Sequence, residues 1–184
     1  MADRTWTFSN LISVSRILLL APLAYCLFSV FEGHRTWAVG IVVLGILTDF
    51  ADGLLARRLH QVSELGKIVD PIADKIAIGA LALFLVTLGD IALWYVVVVL
   101  VRDIVILAGG IYIKKTKNIV AQSNWPGKIA VSAIGMYLLL STAQWQPLEW
   151  FRTVTFWFSL AMMAFSFGMY ARRPLIGRSV GKAR

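Results

Sequence analysis

Residues 49–74 read DFADGLLARRLHQVSELGKIVDPIAD, and four of their carboxylates, Asp49, Asp52, Asp70 and Asp74, sit inside or beside strongly apolar runs. An ionised carboxylate in a membrane helix costs roughly 2.5 to 3.5 kcal/mol on insertion scales. Four without partners cost about 10 kcal/mol or more, so something cationic must meet them. Acids buried in this way read as a metal site.

Helical spacing makes the site plausible. Residues three or four apart share a helix face, which aligns Asp49, Asp52 and Gly53, with Ala56 continuing the same face. Gly53 and Ala56 have almost no side chain, so a ligand or a second backbone can come close. Asp70 and Asp74 share a face of the next helix. The polar residues 58–65, ending before Gly66, are long enough to return the chain as an antiparallel hairpin in which all four carboxylates converge. Hard oxygen ligands with no cysteine or histidine within reach in sequence suit Mg²⁺ or Mn²⁺ better than Zn²⁺. Two such ions nearly neutralise the four acids and offer a clamp for a phosphate or pyrophosphate, and Arg57 is placed to reach phosphate oxygens. Pro71 either kinks its helix to aim Asp70 or is tolerated near a helix start.

The surrounding sequence is that of a membrane protein. Of 184 residues, 59% are hydrophobic and 15% charged, too little polar surface for a soluble globule. Apolar segments long enough to cross roughly 30 Å of hydrocarbon fall at about 11–31, 37–56, 68–88, 91–113, 128–144 and 151–170. The expected fold is therefore all-α and integral to the membrane, one domain over residues 1–184 with six transmembrane helices, a short leading segment 1–10 and a basic tail at 172–184. The first apolar run contains Arg16 and lacks a small-residue cleavage site, so it reads as a span and not a signal peptide. Cys26 reads as a small core residue, and a single cysteine excludes an intrachain disulfide. His34 and His60 read as solvated loop residues.

The net charge of +8 is distributed as topology demands and not as nucleic acid would require. With the N-terminus cytoplasmic, 13 of the 18 basic residues face the cytoplasm, only Arg35 and Arg152 lie outside, and Arg16, Lys75 and Arg102 lie within spans. The positive-inside rule then puts both termini and the polar metal site on the cytoplasmic side, most simply in a bacterial inner membrane. The basic tail reads as a contact with anionic lipid. Six of the tryptophans, Trp37, Trp94, Trp125, Trp145, Trp150 and Trp157, lie mostly near span ends as interfacial anchors.

The spacing D-x2-D-G-x2-A-R-x8-G-x3-D-x3-D is filled by Asp49, Asp52, Gly53, Ala56, Arg57, Gly66, Asp70 and Asp74. It resembles the signature of the CDP-alcohol phosphotransferases, membrane enzymes that make phospholipids from CDP-activated lipids. The opening NLISVSR, residues 10–16, also resembles that family's opening. The resemblance implies six spans with the signature across the second and third, and a homodimer. It implies that Asp49, Asp52 and Asp70 ligate two Mg²⁺ or Mn²⁺ ions, Asp70 serving both, while Asp74 touches the second ion and is general base toward an incoming hydroxyl. Gly53, Ala56, Arg57, Ser63 and Gly66 would contact the CDP-lipid, joined by Asn10, Ile12, Ser13 and Arg16. The implied reaction is attack of an alcohol on the phosphorus next to the diacylglycerol of CDP-diacylglycerol, with CMP leaving. The lipid substrate would enter sideways from the cytoplasmic leaflet.

The acceptor is less legible. Arg102 lies deep in the fourth span beside Asp103, and Lys114, Lys115, Lys117 and Lys128 surround the next cytoplasmic loop. A phosphorylated alcohol needs such a basic pocket, so Arg102, Lys114 and Lys128 are candidate acceptor-phosphate residues. Topology alone also accounts for the lysines, and a local pair with Asp103 for Arg102. The short chain and its opening are most similar to the phosphatidylglycerophosphate synthases, which implies sn-glycerol 3-phosphate. Inositol phosphate, phosphatidylglycerol and serine are the alternatives. A cation or proton transporter also buries acids, but has no need of the Gly53, Ala56 and Arg57 spacing and has no inverted repeat here.

Overall fold

Arg16, Leu23 and Leu27 are buried at intervals of seven and four, the spacing of a single helix face, and on the third helix the half-buried Asp74 and the buried Leu81 and Leu85 repeat those intervals. A computed structural model of the chain describes residues 15–59, 66–117 and 125–176. Six α-helices are found among them: α1 (Ser15–Phe28), α2 (His34–Leu59), α3 (Gly66–Thr87), α4 (Leu93–Lys117), α5 (Trp125–Ala143) and α6 (Glu149–Ile176), with a 3₁₀ turn at Gln146–Leu148 before α6. No strand occurs among the described residues. Each expected span coincides with one helix. α1 ends at Phe28, three residues before the expected end, while α2 runs about one turn further at both ends and α6 runs on to Ile176. Pro71 falls early in α3, and the helix continues through it.

The described surface is inverted relative to that of a soluble protein. Leu44, Ile46, Leu47 and Phe50 of α2 and Leu100, Val101, Ile104 and Leu107 of α4 are exposed, whereas Arg16, Ser141, Thr142, Thr155, Ser159 and Ser166 are buried. Lipid is the solvent in which such a surface costs nothing, and small or hydroxylated residues then mediate helix contacts. Several hydroxyls are satisfied within their own helices: Thr142 donates to the Leu138 carbonyl, Thr155 to Phe151 and Ser159 to Phe156. By length and composition, α5 is the one helix among the described residues apolar enough to cross a membrane.

The chain divides into two compact units, residues 1–91 with 138–145, and residues 92–137 with 146–184. In the first, α1 packs on α2 and α3. Arg16 in the first turn of α1 meets Asp49 in the second half of α2 and Asp74 in the third turn of α3. At the opposite end, Phe28 packs edge-on against Phe84 at 5.8 Å, and the carbonyl of Cys26 lies 3.0 Å from Nδ1 of His34. The three helices therefore run up, down and up. His34 is thus a partly buried helix-start residue bound to the preceding turn and not a solvated one; His60 lies outside the described residues.

α3 is closed by a Schellman turn. Gly89 has φ +76 and its N–H donates to the Val86 carbonyl, while Asp90 N–H donates to Leu85 at 2.9 Å. Only glycine takes that backbone angle without strain. The turn aims Asp90 at Arg35 of α2 and at Gln144, which follows α5 with φ 48.

In the second unit α4 packs on α6. Tyr95 OH lies 2.8 Å from Ser159 Oγ, and Arg102 Nη2 lies 3.5 Å from Ser166 Oγ. Both pairs are 64 residues apart, so the two helices run parallel with one register. Because the Ser159 hydroxyl donates to Phe156, Tyr95 is the donor in the first pair. Tyr95, Tyr137 and Phe156 stack around it with ring centroids 4.9 to 5.3 Å apart.

Candidate functional site

Asp49 and Asp74 are 25 positions apart in sequence, yet one guanidinium holds both. Arg16 Nη2 donates to Asp49 Oδ1 at 2.7 Å, and Nη1 pairs with Asp74 Oδ1. The apolar stripe of α1 carries Arg16 into the bundle, where its side chain is 9% exposed. The two carboxylates are not so enclosed: their side chains are 55% and 39% exposed. An arginine this buried is costly unless paired, and pairing it with two acids leaves the trio one charge negative. The acids keep oxygens that can face a ligand.

This donor set fits a hard divalent cation. Carboxylate oxygens from two helices come together at a place that already holds one cationic group, and among the described residues no sulfur or imidazole ligand joins them there. Asp52 stands one turn beyond Asp49 on α2 and Asp70 one turn before Asp74 on α3. The side chains of Asp52, Gly53, Ala56, Arg57, Gly66 and Asp70 lie outside the described residues, as do Asn10, Ile12, Ser13 and Ser63 altogether. Among the described residues no third acid or histidine joins Asp49 and Asp74 in a metal-sized group.

The acceptor candidates are differently placed. Arg102 Nη1 donates to Asp103 Oδ1 at 2.8 Å, and the side chain is mostly buried, so the local pair that sequence left open is formed. Its Nε has no hydrogen-bond partner among the described residues. Lys128 is exposed in the first turn of α5, and the side chain of Lys114 lies outside the described residues.

Sequence reasoning missed two features. It placed Arg16 among the CDP-lipid contacts and gave it no acid partner, although a basic residue on an apolar helix stripe signals a buried counter-charge. It also gave no role to Asp90, which accepts from both Arg35 and Gln144 with a side chain only 5% exposed. The signal was there: a lone acid after Leu-Gly, directly past an apolar helix, in a chain with few basic residues on that side. Both basic residues assigned to the outer side prove to be paired, Arg35 with Asp90 and Arg152 with Glu149 at 2.6 Å.

Comparison with known proteins agrees with the signature. The profile of the CDP-alcohol phosphatidyltransferase family matches residues 6–167. A probable phosphatidylglycerophosphate synthase of Mycobacterium tuberculosis is 32% identical over 141 residues, which cover 71% of this chain and 66% of the relative. A putative cardiolipin synthase of Mycobacterium bovis is 34% identical over 107 residues, 58% of this chain and 50% of the relative. The human cardiolipin synthase (CMP-forming) is 34% identical over 113 residues, 61% of this chain and 36% of the relative. The matches therefore span less than two thirds of each of these relatives.

Proposed function

Because this chain belongs to the CDP-alcohol phosphatidyltransferase family, we propose that it is an integral membrane enzyme of phospholipid synthesis that moves the phosphatidyl group of CDP-diacylglycerol to sn-glycerol 3-phosphate. The products are phosphatidylglycerophosphate and CMP. The observation that carries the reading is the meeting of Asp49 and Asp74, the first and last carboxylates of the signature, on Arg16.

Asp49, Asp52, Asp70 and Asp74 would hold two Mg²⁺ or Mn²⁺ ions, which when bound supply positive charge against the pyrophosphate and the developing charge of transfer. Asp74, partly open to its surroundings, accepts the proton of the acceptor hydroxyl. That oxygen bonds to the phosphorus carrying the diacylglycerol, the bond from this phosphorus to the bridging oxygen breaks, and CMP leaves with the bridging oxygen. Arg57 holds phosphate oxygens through its fork of donors. Gly53 and Ala56 leave space for the nucleotide, with Ser63, Gly66, Asn10, Ile12 and Ser13 lining the CDP-lipid. Lys114, Lys128 and Arg102 are the candidate contacts for the acceptor phosphate. Six membrane spans, cytoplasmic termini with the acids at the cytoplasmic face, and a homodimer complete the proposal.

The cardiolipin synthases among the relatives favour one second reading, phosphatidylglycerol as acceptor in the same chemistry. Purified protein in lipid-containing micelles, given CDP-diacylglycerol and Mg²⁺ or Mn²⁺, separates the two. CMP release with sn-glycerol 3-phosphate alone is the expected result. Release with phosphatidylglycerol alone selects the second reading, and release that survives a chelator contradicts the metal assignment.

A further inference from the structure

Arg16 is too enclosed to be an ordinary lipid contact. Its side chain is 9% exposed, two of its nitrogens are committed to Asp49 and Asp74, and those acids come from different helices. We propose that Arg16 is a fixed internal cation of the acid site: it holds α1, α2 and α3 together when no metal is bound, and it weakens divalent-ion binding until an anionic pyrophosphate arrives. This inference rests on the metal reading given above.

The charge count gives the reason. The four signature acids carry four negative charges, and Arg16 reduces them to three. Two divalent ions then leave the site with one positive charge, which favours a diphosphate ester over water as the remaining ligand. Without Arg16 the same two ions give a neutral site, which would take metal readily and attract the substrate less. The planar fork explains why arginine occupies the position, since it reaches two carboxylates at once where an ammonium meets one closely. Arg16 Nε, which has no hydrogen-bond partner among the described residues, leaves a further donor in the same place. Arg16 is on this account a positioning residue.

The test is Mn²⁺ binding to the full chain in detergent without nucleotide, followed by electron paramagnetic resonance, with thermal midpoints measured in parallel. Arg16→Gln is expected to bind Mn²⁺ at least about tenfold more tightly than wild type, because a like charge is gone. Its midpoint without metal should fall, and Mn²⁺ should raise it more than it raises that of wild type. Arg16→Lys, which keeps the charge but loses the fork, should bind with intermediate affinity, so the inference stays testable if Arg16→Gln does not fold. Asp49→Asn is the control. No Mn²⁺ binding by wild type and Arg16→Gln alike, or measurable binding that Asp49→Asn leaves unchanged, overturns the metal reading and this inference with it. Wild type that binds, Asp49→Asn that binds worse, and Arg16 variants that bind no tighter than wild type overturn the inference alone.

Discussion

The bundle of α1, α2 and α3 carries a charged cluster at each end, and the two are built in opposite ways. At one end a buried arginine is held by two acids that are 55% and 39% exposed. At the other, a buried acid, Asp90 at 5% exposed, is held by Arg35 and Gln144, one on each oxygen. In the first cluster the cation is enclosed and the acids retain free faces, so a further cation can bind. In the second the acid has no free face, so the cluster can only join α2, the α3–α4 turn and the residue after α5. The same residue types thus leave carboxylate oxygens open in one place and closed in the other, and what separates them is which sign of charge is enclosed.

The largest effect that can break this comparison is on turnover. Asp74→Asn, nearly isosteric but unable to accept the acceptor proton, should reduce CMP release by about a hundredfold or more, with only a modest fall in thermal midpoint, because Arg16 keeps Asp49. Retention of normal turnover would remove Asp74 from the base role and make the two clusters alike.

Next in size is the loss of cohesion. Asp90→Ala leaves the Arg35 charge and the Gln144 amide unmatched and should cost about 3 kcal/mol of stability, read as a lower thermal midpoint, while kcat of the folded protein is retained. A fall in kcat without a fall in midpoint would move function to that end. Gly89→Ala sharpens the point. No atom lies within 4 Å of the added Cβ, so the cost is the backbone angle alone, about 1 kcal/mol, again without effect on turnover. The smallest effect belongs to the second unit, where Tyr95→Phe removes the hydrogen bond to Ser159. Hydrogen bonds between membrane helices average about 0.6 kcal/mol, so only a slight midpoint shift is expected in a denaturation series.

These differences also show which parts of the molecule could be read from its sequence. Helices were legible because apolar length and periodicity are local properties, and all six expected spans met a helix. Asp49 and Asp74 were legible as candidate site acids because of their three- and four-residue spacing to Asp52 and Asp70, whose side chains lie outside the described residues. Which groups meet across helices was not: Arg16 reaches acids 33 and 58 positions away, and Asp90 reaches back 55 positions to Arg35. No local spacing encodes those distances. Arg102 lay between the two cases, because its partner Asp103 is adjacent in sequence and a competing role in binding had equal claim.

The most direct test of the account is to measure metal-dependent CMP release and thermal midpoint side by side in Asp49→Asn and Asp90→Asn, each as the full chain in lipid micelles. The account predicts that Asp49→Asn loses most of its turnover and metal dependence with a smaller fall in midpoint, because Arg16 keeps Asp74 as a partner, whereas Asp90→Asn loses more stability and keeps turnover. Equal losses of both properties in both variants, or the reverse assignment, would contradict it.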